Sequence, residues 1–127
     1  MPMYDYKYLL ESDTAITADA YSTTEIDFGV TTPYVGHNFG MHVIVTETFV
    51  GCVSIDFKVM TGAATAPTVN VAAQRNVLLA ALTKGAHFFI PVPPKLEEFV
   101  RAYYVTNTDA TAGKVTVYLG ESGQGAI

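Results

Sequence analysis

The chain has one cysteine, no tryptophan and few charged residues. Of its 127 residues, seven are Lys or Arg and twelve are Asp or Glu, which gives a formal net charge of −5. A nucleic-acid-binding protein depends on clustered Lys and Arg. The basic residues of this chain are scattered from Lys7 to Lys114 without forming a run. The composition therefore argues against nucleic acid as a partner.

The single Cys52 excludes an intrachain disulfide framework, and we expect it to be a buried, unreactive thiol. No hydrophobic run approaches the roughly 20 residues that a membrane-spanning helix needs. The N-terminus, MPMYDYKYLLESD, lacks the basic start and the apolar centre of a signal peptide. We therefore expect no membrane partner and a chain that is made in the cytoplasm without an export or anchoring signal.

Hydrophobic residues make up half of the sequence, although only 15% of it is charged. A chain of this length is expected to form one domain, residues 1–127. It is also long enough to bury about two-thirds of the surface that the unfolded chain exposes. The remaining surface is rich in Thr, Ser, Asn and Ala, which suits a protein that is packed against others.

Alternation of apolar and polar residues predicts β-strands along most of the chain. The clearest segments are 41–47, 53–60, 100–107 and 113–120, and the first two are separated by a Gly-containing turn. Weaker candidates lie at 7–12, 22–28, 68–74 and 87–92. Tyr103 and Tyr104 are adjacent on a strand, so one of them is expected to pack inward. About eight strands punctuated by Gly, Pro, Asn and Asp are typical of a sandwich or barrel.

The stretch FFIPVPPKLEEFV separates two of these strands with three prolines. Because proline cannot donate to a β-ladder, we expect one strand to end near Ile90 and the next to start near Phe99. An extended crossing through Val92, Pro93 and Pro94 would join them. Long crossings of this kind connect the strands of a jelly roll.

A helical pattern is found at NVLLAALTKG, residues 76–85. Asn76 is a possible N-cap and Gly85 a possible stop, and the short length predicts one or two turns. The predicted fold is therefore all-β, a single antiparallel jelly-roll sandwich of about eight strands with one short helical turn.

The segment GHNFGMHVIVTE partly matches the opening of the metal motif found in cupins, which are jelly-roll proteins. Gly36 and His42 have the right spacing, and Glu47 lies near the position of the motif's Glu. However, Ile44 replaces the second His, and the second cupin motif is missing around His87. Transition-metal sites need three or four convergent N, O or S ligands. We therefore expect no metal or other cofactor, and a solvent-facing or hydrogen-bonded His42.

Other catalytic signatures are also missing. The tail segment GESGQG lacks the nucleophile elbow Gly-x-Ser-x-Gly, and no Gly-rich loop ends in Gly-Lys-Ser/Thr. The carboxylates Asp13, Asp19, Glu25 and Asp27 come from different predicted segments, and nothing recommends any two of them as a catalytic pair. We predict no catalytic residues and no enzymatic activity.

Tyrosine is abundant, with eight residues, and three of them alternate near the N-terminus. In an extended arm of about residues 1–8, Tyr4, Tyr6 and Tyr8 would face the same way. One interpretation is that this edge contacts a neighbouring subunit or another partner. The other is that the arm begins the first strand and packs Tyr8 on its own sandwich. Exposed aromatic residues suit partner surfaces and carbohydrate stacking equally.

Four segments carry a further pattern: STTEIDFG (22–29), MHVIVTETF (41–49), KGAHFFIPVPP (84–94) and FVRAYYVTNTDATAGKVTVYL (99–119). In this order they resemble the jelly-roll cement, or head-decoration, proteins of tailed bacteriophages. The resemblance runs from about Tyr8 onward, and its most telling part is the apolar strand that leads into PVPP. In that family a Gly soon follows the paired prolines, whereas Lys-Leu-Glu-Glu follows here.

The resemblance implies a non-enzymatic, oligomeric structural protein of the virion. Such a protein lies on the outer surface of the capsid and ties neighbouring major-capsid subunits together. Its expected partners are the major capsid protein and itself, as a dimer or trimer, and Tyr4, Tyr6 and Tyr8 are the predicted contact residues. The alternative is a carbohydrate- or receptor-binding jelly-roll module of a phage tail.

Overall fold

The computed structural model describes residues 9–29 and 39–121, and nine antiparallel strands lie within these ranges. Their bounds are β1 Leu9–Ala15, β2 Ala20–Tyr21, β3 Ile26–Asp27, β4 Phe39–Val50, β5 Ser54–Gly62, β6 Asn70–Leu78, β7 His87–Pro91, β8 Phe99–Asn107 and β9 Ala112–Glu121.

The strands form two sheets whose order is that of a jelly roll. The first sheet has the order β1-β9-β4-β7 and the second the order β2-β8-β5-β6, with β3 also paired to β8. Strands from the first half of the chain pair with strands from the second half in reverse order: β1 with β9, β2 with β8, β4 with β7 and β5 with β6. A long antiparallel hairpin rolled into two sheets has this pairing. The predicted antiparallel jelly-roll sandwich is confirmed.

Alternating side chains of both sheets form the core. On β5, Ile55, Phe57 and Val59 are fully buried, whereas the intervening Asp56 and Lys58 are half-buried on the outer face. This is the period-two pattern that a strand with one core-facing side requires. Full burial of a side chain such as Phe57 contributes about 1.5–3 kcal/mol relative to its exposure.

The prediction that one of the adjacent residues Tyr103 and Tyr104 packs inward is confirmed. Tyr104 is buried and its ring meets the Phe57 ring edge-on, with centroids 5.9 Å apart, whereas Tyr103 lies on the outer face. Cys52 is buried as expected, and burial raises the pKa of its thiol. A neutral thiol in such a place behaves as a small hydrophobic side chain.

The proline-rich crossing connects the two sheets. β7 ends at Pro91 in the first sheet and β8 begins at Phe99 in the second, as the prolines predict. The buried side chains of Val92 and Leu96 anchor the crossing, and the Val92 amide donates to the Phe39 carbonyl at 3.1 Å. Pro93 is exposed between these anchors.

The predicted helical segment 76–85 contains less helix than expected, and Asn76 is not an N-cap. Asn76 lies in β6 opposite Asp56, and a single 3-10 turn, Leu79–Ala81, follows Leu78 without a side-chain cap. Pairing of β6 with β5 buries Val77, and this long-range contact outweighs the local helical pattern. In the described ranges, no helix is long and apolar enough to cross a membrane.

The predicted strand at 22–28 is largely a connection between two short strands, β2 and β3. The Thr23 amide and hydroxyl donate to the Glu11 carboxylate at 2.8 and 2.7 Å. These bonds turn the backbone of Thr23 toward β1, so the segment leaves the second sheet between Tyr21 and Ile26.

Candidate functional site

The tyrosines predicted as partner contacts, Tyr4, Tyr6 and Tyr8, lie outside the described residues, as does Gly36 of the partial cupin motif. Their contacts therefore stay a prediction.

The other residues of the partial cupin motif do not converge. The Glu47 carboxylate accepts a hydrogen bond from the Gly113 amide at 3.1 Å, whereas Nδ1 of His42 lies 2.9 Å from Nε2 of His87. His42 is fully buried, so its predicted hydrogen-bonded state is confirmed and the solvent-facing one is wrong. Within residues 9–29 and 39–121, no three His, Cys, Asp or Glu side chains are grouped so that they could hold a metal ion.

A histidine cluster, defined as His42, His87, Phe89 and Tyr118, lies on the outer face of the first sheet. In register, His42 stands between Phe89 on β7 and Tyr118 on β9. Its ring stacks on Tyr118 with centroids 4.8 Å apart and an interplanar angle of 8°, and it meets Phe89 at 4.8 Å and 52°. Gly40 makes this packing possible, because a Cβ there would lie 2.8 Å from the Phe89 ring.

The hydrogen bond between the two imidazoles requires a neutral acceptor ring, since a protonated imidazole has no free lone pair. Burial lowers the pKa of His87 and so favours its neutral form. The histidine cluster is therefore a packed layer, and protonation of the acceptor imidazole would break the hydrogen bond between His42 and His87.

The outer face of the second sheet carries a different group, the tyrosine surface, defined as Tyr21, Tyr103, Arg101 and Lys58. Tyr103 on β8 is opposite Tyr21 on β2 and Lys58 on β5. The two tyrosine rings stack with centroids 4.2 Å apart and an angle of 22°. The guanidinium carbon of Arg101 lies 3.6 Å from the Tyr21 ring centroid. All four residues are half-buried.

Arg101 holds the tyrosine surface in one arrangement. Its Nε donates to the Pro67 carbonyl at 3.0 Å while its guanidinium covers the Tyr21 ring. Tyrosine and arginine are enriched at protein interfaces and at their energetic centres. A surface already fixed in this way loses little conformational freedom when a partner binds. Alternation along β8 predicts that one of the two adjacent tyrosines faces outward, but no local pattern indicates Tyr21, whose pairing with β8 is long-range.

The carboxylates considered as catalytic candidates instead hold loops and strand ends. Each accepts a hydrogen bond from a different donor: Thr46 Oγ1 to Asp13 at 2.6 Å, the Thr106 amide to Asp19 at 2.8 Å, the Ala66 amide to Glu25, and the Gly29 amide to Asp27 at 2.8 Å. These contacts give the four residues structural roles.

Another carboxylate, Glu11, is buried, unlike these four, and no local pattern in the sequence indicates its role. It lines a cleft of about 200 Å³ between β1 and the Thr23–Thr24 segment, and Thr23 donates two hydrogen bonds to it. Burial, and secondly the charge of Glu11, raise the pKa of Tyr104 well above its usual value. The buried phenol therefore stays neutral, and Glu11 serves to hold the β2 region against β1.

Comparison with models of protein families gives a match. The model of Bbp16, a phage-related family, matches residues 10–119, which is most of the chain. No curated protein sequence is significantly similar to the chain.

Proposed function

Because the chain belongs to the phage-related Bbp16 family, we propose that it is a non-enzymatic capsid decoration, or cement, protein. In this role it binds the outer surface of the phage head and ties neighbouring major-capsid subunits together. It does so as a homo-oligomer, a dimer or a trimer, and resides on the virion surface. Each copy contributes modest contacts, and an oligomer that holds several subunits at once gains avidity through effective concentration.

The observation that supports this role most directly is the tyrosine surface. Tyr21, Tyr103 and Arg101 form a preformed aromatic and cationic patch on the outer face of the second sheet. The sheet beneath is rigid because β8 is hydrogen-bonded on both sides, to β5 and to β2 and β3. A rigid patch with large side chains suits attachment to a fixed protein lattice, where each binding event should cost little ordering entropy.

The alternative, a carbohydrate- or receptor-binding module of a phage tail, would use exposed tyrosine rings as stacking platforms. The Tyr21 ring already contacts both Tyr103 and Arg101. Few ring faces are then left for a sugar, which favours the capsid role. Co-purification with phage tails or host-cell surface material, and not with heads, would support the alternative.

The capsid role is tested by binding purified protein to empty heads and separating bound from free protein by sedimentation. Tyr103→Ala removes the centre of the tyrosine surface without touching the core, and we expect it to weaken head binding about tenfold or more. Its matched control is Lys114→Ala, since Lys114 lies on the outer face of the first sheet. This control should bind as the unaltered protein does.

Two results would contradict the proposal. One is full-length protein that does not sediment with heads at any concentration. The other is equal loss of binding in the two variants, which would mean that the tyrosine surface has no special part. Circular dichroism and thermal melts of both variants establish that neither change unfolds the sandwich.

A further inference from the structure

Three of the four edge positions in the described sandwich are poorly suited to pairing with another strand. β7 has five residues and ends at Pro91, β1 contains two register shifts, and β2 and β3 have two residues each. Proline, irregular register and short length are devices that keep sheet edges from pairing with other chains. The fourth edge strand, β6, is longer, contains no proline and is irregular only near its start.

β6 has nine residues and contains neither proline nor lysine. Its register shift lies between Val71 and Ala73, so the segment 73–78 pairs regularly with β5. Its only charged side chain, Arg75, is turned toward the first sheet: the guanidinium lies 5.3 Å from the Phe88 ring centroid and 3.4 Å from the Phe89 carbonyl oxygen. Arg75 therefore reaches from β6 to the neighbouring edge strand β7, and the outer-face residues Gln74, Asn76 and Leu78 carry no charge.

The backbone groups that point away from β5 can be identified from the ladder. The Leu79 amide donates to the Val53 carbonyl at 3.0 Å. In an antiparallel ladder, alternate residues direct both backbone groups toward the same neighbour. Val77, Arg75 and Ala73 therefore bond to β5, and the N–H and C=O groups of Gln74, Asn76 and Leu78 point outward, toward the edge that no strand of the described residues occupies.

Exposed hydrophobic side chains concentrate at the same edge. Five large hydrophobic residues are exposed within the described ranges, and Val69, Val71 and Leu78 lie on β6 or directly before it. Leu78 is 62% exposed although its neighbour Val77 is buried. Exposed hydrophobic residues along a sheet edge that has no partner strand are a feature of interaction surfaces.

We propose that two copies of this chain pair through β6, antiparallel and about a twofold axis at Asn76. In this register, Gln74 of one copy is opposite Leu78 of the other, and Asn76 is opposite Asn76. All three outward-facing residues of each copy are then used, which gives about six hydrogen bonds between the copies. The second sheet of one copy joins the second sheet of the other into one continuous sheet. The twofold symmetry closes the assembly as a dimer.

The chain is complementary to itself in this register and less so in the neighbouring ones. With the axis at Asn76, Arg75 is opposite Val77 of the second copy, so no like charges face each other. An axis at Arg75 would place the two arginines directly opposite, which is destabilising, and would leave Leu78 without a partner in the regular segment. An axis at Val77 would leave Gln74 unmatched. This self-complementarity is the reason to infer a second copy as the occupant of the edge.

The test substitutes Gln74, whose outward amide the dimer needs and the β5–β6 ladder does not. Gln74→Pro removes this N–H and places the pyrrolidine ring at the edge, whereas Gln74→Ala changes the side chain but keeps the amide. By sedimentation velocity of the isolated chain, we expect a dimer for the unaltered protein and for Gln74→Ala. Gln74→Pro should raise the dimer dissociation constant about tenfold or more.

A second measurement does not depend on the proline variant folding. In a dimer mixed from isotope-labelled and unlabelled chains, an intermolecular NOE is expected between Hα of Arg75 and Hα of Val77, which face each other closely at a non-hydrogen-bonded pair. An unaltered chain that stays monomeric at high micromolar concentration would overturn the inference. So would a dimer that lacks this NOE, or one that a folded Gln74→Pro variant forms equally well. These results are separate from head binding, because only isolated protein is used.

Discussion

Substitution of Gly113 by Ala tests how tightly β9 packs against the Phe49 ring of β4. Gly113 lies near the start of β9 with a φ of +137°, a backbone conformation that residues other than glycine rarely adopt. A Cβ at this position would also overlap the ring of Phe49, which is buried on β4. The substitution therefore imposes backbone strain and a steric overlap in the core at the same time.

The expected destabilisation follows from these two costs. A residue held at an unfavourable φ costs about 1–3 kcal/mol, and overpacking a buried ring costs about 1–3 kcal/mol. The sum is about 2–6 kcal/mol, a large part of the roughly 5–15 kcal/mol that stabilises a domain. At about 4 °C per kcal/mol for a chain of this size, Tm should fall by about 8–24 °C.

Two other glycines separate the contributions. Gly85 has a φ of +92°, but no other atom would lie within 4 Å of a Cβ added there. Gly85→Ala therefore imposes backbone strain alone. A Cβ at Gly40 meets the Phe89 ring and the Ile90 carbonyl oxygen, and no unusual φ is involved, so Gly40→Ala imposes overlap alone. Urea-induced unfolding of the three variants should show the greatest loss for Gly113→Ala.

A double-mutant cycle of Gly113→Ala with Phe49→Leu then measures the overlap between the new methyl group and the Phe49 ring. The smaller side chain gives the new methyl group room, so the double variant should lose about 1–2 kcal/mol less than the sum of the single losses. If Gly113→Ala costs no more than Gly85→Ala, or if the cycle shows no coupling, the contact with Phe49 does not limit this position and the reasoning is refuted.

The remaining predictions concern His87 and the N-terminal arm. Because burial lowers the folded-state pKa of His87, the unfolded chain takes up a proton more readily. Stability should therefore be full above about pH 6.5 and fall as the pH drops below it. Urea melts at pH 7.5 and 5.5 should show a smaller loss for His87→Gln, and an equal loss would contradict this role. Deleting residues 1–7 should leave Tm nearly unchanged but weaken binding to empty heads severalfold, since Tyr4 and Tyr6 offer contact area at low entropy cost. Truncated protein retained as tightly as the full-length chain would rule the arm out as a contact.

Local patterns in the sequence were sufficient to predict most of the strands and an all-β fold. The alternation at Ile55, Phe57 and Val59 determines which side of β5 enters the core, because side-chain direction in a strand follows directly from residue parity. Pro93 and Pro94 predicted the crossing between the sheets because proline lacks the amide that a ladder needs. Both signals act within a few residues, so they are readable without knowledge of the fold.

Where a local pattern suits two structures, only the pairing partner decided between them. The helical spacing around Asn76 became strand because β5 lies alongside and buries Val77. The interruption between the short strands β2 and β3 depends on Glu11, whose carboxylate accepts two hydrogen bonds from Thr23. Neither partner is adjacent in the chain.

The two surface clusters likewise exist only in the folded chain. His42 and His87 are separated by 45 positions in the sequence, and the ladder between β4 and β7 brings their ring nitrogens to 2.9 Å. Tyr21 meets Tyr103 because β2 pairs with the opposite end of the chain. The sequence by itself determined the alternation, the crossing and the absence of recognisable catalytic motifs. Tertiary structure decided which residues form the tyrosine surface and which strand edge has no partner strand among the described residues, because strand pairing joins residues that no local pattern connects.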